Sequence, residues 1–152
     1  MKYLFTGGGT GGHVYPALAI ADEIRQQYAD AEFLYVGRRG KLESWVVPEH
    51  DYPIRFICAR PFPRTSAPFA LIWFVIALAI GTLQAALILL RYRPKVIVGT
   101  GGYVSAPILF AYGALAKIGL SRARVLLYEP NAHPGLLNQI AGRFAHRIGV
   151  AF

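Results

Sequence analysis

The chain has 152 residues, 55% hydrophobic and 16% charged, with sixteen Lys and Arg against eight Asp and Glu and a net charge of +8. That length allows one domain with a sizeable core, and a mean hydropathy of +0.38 is high for a soluble domain of this size. The single cysteine, Cys58, excludes an internal disulfide framework and suits a reducing compartment.

The apolar run 2–6 predicts a first strand and is too short for a signal peptide. Glycines follow at once, in Gly7-Gly8-Gly9-Thr10-Gly11-Gly12-His13. A helix is predicted next, over 14–28, where Ala17, Ile20, Ala21, Ile24 and Tyr28 recur at helical spacing. Strand, glycine loop and helix in that order make a phosphate cradle: the glycines let backbone come close, and the helix N-terminus favours an anion. Gly7, Gly9 and Gly12 formally satisfy G-x-G-x-x-G. A dinucleotide site of that type expects an acidic residue ending the second strand. The second strand, 32–36, is followed instead by Gly37-Arg38-Arg39, which disfavours NAD, although arginines suit NADP.

A helix at 41–47 and a strand at 54–58 come next. From Tyr52 to Tyr128 there is no Asp or Glu, while nine basic residues fall in that stretch. A field of one sign attracts polyanions. The apolar run 69–90 decides which kind, because Arg64, Arg91 and Arg93 bracket it and basic residues beside an apolar stretch suit an anionic membrane surface. No RNA-stacking motif or zinc-finger spacing is present, so nucleic acid is not an expected partner. The helix predicted over 66–92 is long enough to cross a bilayer at about 20 residues per span. A crossing would separate the strands before Arg64 from those after Arg93, which could not then share one sheet. The expectation is a helix on or dipping into the membrane interface, presenting Phe69, Leu71, Ile72, Trp73 and Phe74. A plain core helix is the competing reading.

A strand at 96–98 leads into a second glycine loop, Gly99-Thr100-Gly101-Gly102-Tyr103-Val104-Ser105-Ala106-Pro107, and a helix over 104–118. A strand at 125–128 ends in Tyr128-Glu129-Pro130-Asn131, ahead of a helix at 134–144 and a strand at 147–150. Strand-helix alternation throughout predicts an α/β fold, a Rossmann-like doubly wound parallel sheet in a single domain. Both glycine loops then face one crevice at the carboxyl ends of the strands. His13 at the first turn of the helix and Glu129, a carboxylate in an otherwise acid-free half, are the titratable groups there; a structural hydrogen bond for His13, a cap or arginine pair for Glu129 and an N-cap role for Asn131 are the plainer readings.

Three segments together, Gly8 to Ala19, Gly99 to Pro107 and Glu129-Pro130-Asn131, resemble the family 28 glycosyltransferases, with a weaker likeness on to Phe152. The resemblance implies the N-terminal, acceptor-binding half of a GT-B fold. It implies inverting transfer of N-acetylglucosamine from UDP-N-acetylglucosamine to a polyprenyl-diphosphate-linked acceptor, the lipid I to lipid II step of peptidoglycan synthesis, at the cytoplasmic face of the inner membrane. It implies no metal or other cofactor, and no Asp-x-Asp clamp occurs in the sequence. Thr10, Gly11, Gly12 and Asn131 carry over as donor-sugar contacts, and Gly101, Gly102, Tyr103 and Ser105 as an acceptor-diphosphate site; inverting transfer needs a base, for which His13 and Glu129 are the candidates in this half. The chain departs from the family in having Tyr128 and Pro130 where His and Gln are usual. The family's nucleotide-binding C-terminal domain would follow Phe152, so this half is expected to need it, or a partner chain, for turnover. Two other readings remain open: the membrane-recruiting subunit of a split two-chain transferase, and an NADP- or nucleotide-binding module.

Overall fold

A computed structural model describes residues 1–64, 68–129, 142 and 145–150. The predicted helix 134–144, apart from residue 142, and Asn131 fall outside the described residues. Six parallel strands form one sheet: β1 (Lys2–Thr6), β2 (Glu32–Gly37), β3 (Ile54–Phe56), β4 (Val96–Gly99), β5 (Arg124–Glu129) and β6 (Arg147–Val150). Their spatial order is β3-β2-β1-β4-β5-β6, the doubly wound order in which the chain reverses direction between β1 and β4.

Alternation along the strands sends side chains to opposite faces and so builds two cores. Tyr3, Phe5, Tyr35 and Val98 pack with Val14, Ala17, Leu18 and Ala21 of α1 (Gly11–Gln27) and with Val46 and Val47 of α2 (Glu43–Glu49). Leu4, Leu34, Val36, Ile97, Val125 and Leu127 face the other way. They meet Ala85, Ile88 and Leu89 of α3 (Pro68–Tyr92) and Ile108, Leu109, Tyr112 and Leu115 of α4 (Ser105–Lys117).

The predicted elements recur with shifted ends. β3 stops at Phe56 rather than at 58, because the Cys58 N–H leaves the ladder and donates to Gln84 Oε1 of α3 at 2.7 Å. α1 begins at Gly11 rather than at 14, since the His13 and Val14 amides both donate to the Thr10 carbonyl at 3.2 Å.

The long apolar helix is where the structure decides most. It is not a core helix: only 17% of its most apolar window is buried. Nor does it separate the strands on its two sides, because β1 and β4 are direct neighbours. Its inward stripe is Ala77, Gly81, Ala85, Ile88 and Leu89. A Cβ on Gly81 would strike the Cys58 carbonyl and lie 3.1 Å from Pro107 Cγ, so glycine there lets α3 settle onto α4. Outward, Phe69, Leu71, Ile72, Trp73, Val75, Ile76, Ile80, Leu83 and Leu87 are exposed, as are Arg64, Arg91 and Arg93. Phe62 extends this surface, with its ring edge-on to Phe74 at 5.3 Å.

Candidate active site at the carboxyl edge of the sheet

The β1–α1 loop and the β4–α4 loop leave neighbouring strands at the point where the winding direction reverses. Open α/β sheets bind ligands in that crevice. The two loops lock together through backbone and short side chains. Thr100 Oγ1 donates to the His13 carbonyl at 2.5 Å, while His13 Nδ1 lies 2.8 Å from the Thr100 carbonyl. Gly102 adopts φ +76°, and a Cβ there would strike the Gly8 carbonyl. Only glycine allows both that left-handed backbone and that approach.

The His13 contact fixes its tautomer. A carbonyl oxygen only accepts, so Nδ1 carries the hydrogen and Nε2 holds the lone pair of the neutral ring. His13 thus has its structural hydrogen bond, and among the described residues its Nε2 takes no partner. It sits half-buried in the first turn of α1, beside Gly11 and the exposed Thr10 and Gly12. Thr10 does not use its hydroxyl to cap the helix. Neither α1 nor α4 has an acidic residue in its first turn, so both N-termini keep their partial positive charge for a ligand.

The other predicted residues divide. Gly101, Gly102 and Tyr103 come to the crevice with the second loop. Ser105 does not reach its surface: it is fully buried, with its hydroxyl 2.9 Å from the Gly101 carbonyl and 3.2 Å from that of Thr6. Glu129 ends β5 at the same sheet edge and is only 4% exposed. The membrane set lies apart from the loops in sequence, with Phe69 to Phe74 and Arg91 on α3, Arg64 before it and Arg93 just after it. Among the described residues no three His, Cys, Asp or Glu side chains gather as metal ligands.

Sequence reasoning missed the residues that brace the first loop. Glu43 is fully buried; it accepts from the Gly9 amide at 3.1 Å and from the Arg38 amide at 3.0 Å. Tyr35 donates to the Gly7 carbonyl at 2.8 Å, and its burial, with Glu43 nearby, holds its phenol well above the usual range. Arg38, read from sequence only as a cofactor discriminator, donates from Nη1 to Tyr103 Oη at 3.1 Å. A carboxylate opening a helix is too ordinary to have marked Glu43.

Comparison with known proteins gives this architecture relatives. Residues 3–150 match the glycosyltransferase family 28 N-terminal domain. A UDP-N-acetylglucosamine–N-acetylmuramyl-(pentapeptide) pyrophosphoryl-undecaprenol N-acetylglucosamine transferase from Caldicellulosiruptor saccharolyticus is 40% identical over 100% of this chain and 39% of its own length. The protein of the same name from Alkaliphilus oremlandii is 35% identical, over 100% of this chain and 40% of its own length. The crystal structure of MurG from Acinetobacter baumannii superposes with a TM-score of 0.76 at 26% identity, over 99% of this chain and 41% of that one. CalG4, the calicheamicin glycosyltransferase, shares the fold, with a TM-score of 0.58 and 16% identity over 93% of this chain and 36% of that one. The chain thus spans about two fifths of the length of the relatives it matches. It belongs to the glycosyltransferase family 28 N-terminal domain family, which sets aside the NADP module.

Proposed function

We propose that this family 28 domain is the acceptor-binding half of a membrane-associated inverting glycosyltransferase. The enzyme would move N-acetylglucosamine from UDP-N-acetylglucosamine to a polyprenyl-diphosphate-linked sugar, converting lipid I to lipid II. The observation that carries the reading is the lock between the two glycine loops, which holds His13 by its Nδ1 at the carboxyl edge of the sheet, where the winding reverses. The names of the relatives supply the donor and acceptor.

Inverting transfer needs a base to take the acceptor hydroxyl proton as that oxygen attacks the anomeric carbon, while UDP leaves from the opposite face. His13 suits this role, with Nδ1–H tied to Thr100 so that Nε2 receives the proton. Glu129, a buried carboxylate at the same edge, is the second candidate. Thr10, Gly11, Gly12 and Asn131 would meet the donor sugar. Tyr103 and the backbone of Gly101 and Gly102 would meet the acceptor diphosphate, and the buried Ser105 would shape that loop from beneath. No metal is assigned a role. The donor nucleotide would be held by a second, C-terminal domain, and the reaction would need both.

The exposed apolar face of α3, bracketed by Arg64, Arg91 and Arg93, supports peripheral attachment to an anionic membrane, at the cytoplasmic face where the lipid carrier is glycosylated. The decisive experiment combines this chain with a cognate C-terminal domain, covalently or in trans, and assays transfer of N-acetylglucosamine to lipid I. No transfer by a folded, associated pair would sink the proposal.

A further inference from the structure

The backbone of the two glycine loops supplies dipoles to an anion but no full charge. Arg38 brings a full charge to them. Arg38 follows β2, and two contacts fix it. Its amide donates to the fully buried Glu43 at 3.0 Å, and the other oxygen of that carboxylate takes the Gly9 amide at 3.1 Å. The backbone of Arg38 is therefore tied to the first loop. Its guanidinium reaches the second loop, donating to Tyr103 Oη at 3.1 Å with its carbon 5.9 Å from the ring centroid. The Tyr103 ring lies against Gly9 in turn.

A guanidinium carries five N–H donors. Among the described residues Arg38 spends one on Tyr103, and none of the ion pairs includes it. A half-buried arginine with a fixed stem and a free fork is preorganised for a bidentate oxyanion. Its neighbour Arg39 differs: it is exposed and lies over the Phe56 ring at 5.0 Å.

We infer that Arg38 is the charged recognition residue of the crevice, binding a diphosphate ester between the two glycine loops, with Glu43 and Tyr103 as the groups that position it. This rests on the reading of the crevice as a site for lipid-linked and nucleotide-linked sugars. Both of those substrates are diphosphate esters, so the chemistry is shared and the test must separate the sources.

The test titrates the folded chain with farnesyl diphosphate, with UDP, and with farnesol as the uncharged control, comparing wild type with Arg38→Gln and Arg38→Lys. Charge-assisted hydrogen bonds of this kind predict a loss of about tenfold or more in diphosphate affinity for Arg38→Gln. Arg38→Lys should recover part of it, because it keeps the charge and loses the fork. Farnesol binding should not move, which a merely structural defect would not spare. Loss confined to farnesyl diphosphate identifies the lipid acceptor as the source, and loss confined to UDP identifies the donor. If wild type binds either diphosphate and both variants bind it equally well, the assignment of Arg38 is overturned and the crevice reading stands. If wild type binds neither, the crevice reading fails and takes Arg38 with it. Should Arg38→Gln fold poorly, Arg38→Lys and Tyr103→Phe decide: unchanged diphosphate binding in both overturns the inference.

Discussion

The two glycine loops have nearly the same composition and are held in different ways. The first is braced from outside, by the Glu43 carboxylate beneath Gly9 and by the Tyr35 hydroxyl on the Gly7 carbonyl. Beyond those braces its far end is open, with Thr10 and Gly12 exposed. The second loop is closed by its own turn and by the end of β1: Gly101 and Gly102 turn at φ +95° and +76°, and the Ser105 hydroxyl is buried against the carbonyls of Gly101 and Thr6. A glycine in a loop is therefore not one kind of feature. In the second loop it is a packing requirement; at the end of the first it is open space for a ligand.

Exchanging each glycine for alanine tests that contrast most severely. Gly102→Ala forces a Cβ into the Gly8 carbonyl at a left-handed backbone, and should cost about 3 kcal/mol or more by urea unfolding. At Gly12 a Cβ meets nothing nearer than Thr10 Oγ1 at 4.0 Å, so Gly12→Ala should leave stability unchanged or raise it by about 1 kcal/mol, as alanine does within a helix. Equal losses at both positions would break the distinction.

In the proposed assembly of this chain with a C-terminal domain, His13→Ala should lower kcat by about 10²–10⁴-fold if Nε2 is the general base. Glu129→Gln made in parallel tells which group acts; if both keep near-wild-type turnover, the base lies elsewhere. Glu43→Ala removes the shared acceptor of the Gly9 and Arg38 amides, and should cost about 1–3 kcal/mol for the two donors left buried. The amides of Gly9 and Arg38 should then exchange hydrogen faster, while those of the second loop stay protected.

Outside the crevice, Trp73→Glu on the exposed face of α3 should change folding stability by no more than about 0.5 kcal/mol, as surface changes do. Sedimentation with anionic vesicles should fall about tenfold, since one large apolar side chain is worth about 1.5–3 kcal/mol on burial. Unchanged vesicle binding would remove α3 as the membrane contact.

The fold was legible because its signals are local. The short apolar run at 2–6 and the helical spacing through Ala17, Ile20 and Ile24 are both displayed directly by the sequence. The crevice was legible in part, for glycine after a strand marks a loop whatever holds it. The braces were not. Glu43 lies thirty-four residues from Gly9, and Arg38 sixty-five from Tyr103; only the parallel pairing of β1 with β2 and β4 brings them together. Ser105 shows the opposite case. Its residue type fits a phosphate contact, but its place in the turn buries it under two carbonyls. Sequence conveys the chemistry a side chain could do, and packing decides whether it meets a ligand.

The smallest effect tests the brace on the first loop alone. Tyr35→Phe deletes the hydroxyl that donates to Gly7 and nothing else, so at neutral pH it should cost about 1 kcal/mol. The same phenol has its pKa raised in the folded chain, first by burial and then by the Glu43 charge. A group whose pKa is higher folded than unfolded stabilises the fold at pH values below the unfolded pKa, near 10. That contribution is lost as pH rises from there toward the folded value, because the unfolded chain gives up its proton first. Wild type should therefore lose stability steadily above pH 10, and Tyr35→Phe should lose it less steeply. Tyr52 and Tyr92, also raised by burial, still contribute to the slope in both proteins. Urea midpoints measured from pH 8 to 11 would read the difference. Parallel curves would mean that Tyr35 ionises as readily folded as unfolded, and that the first loop is not closed over its hydroxyl.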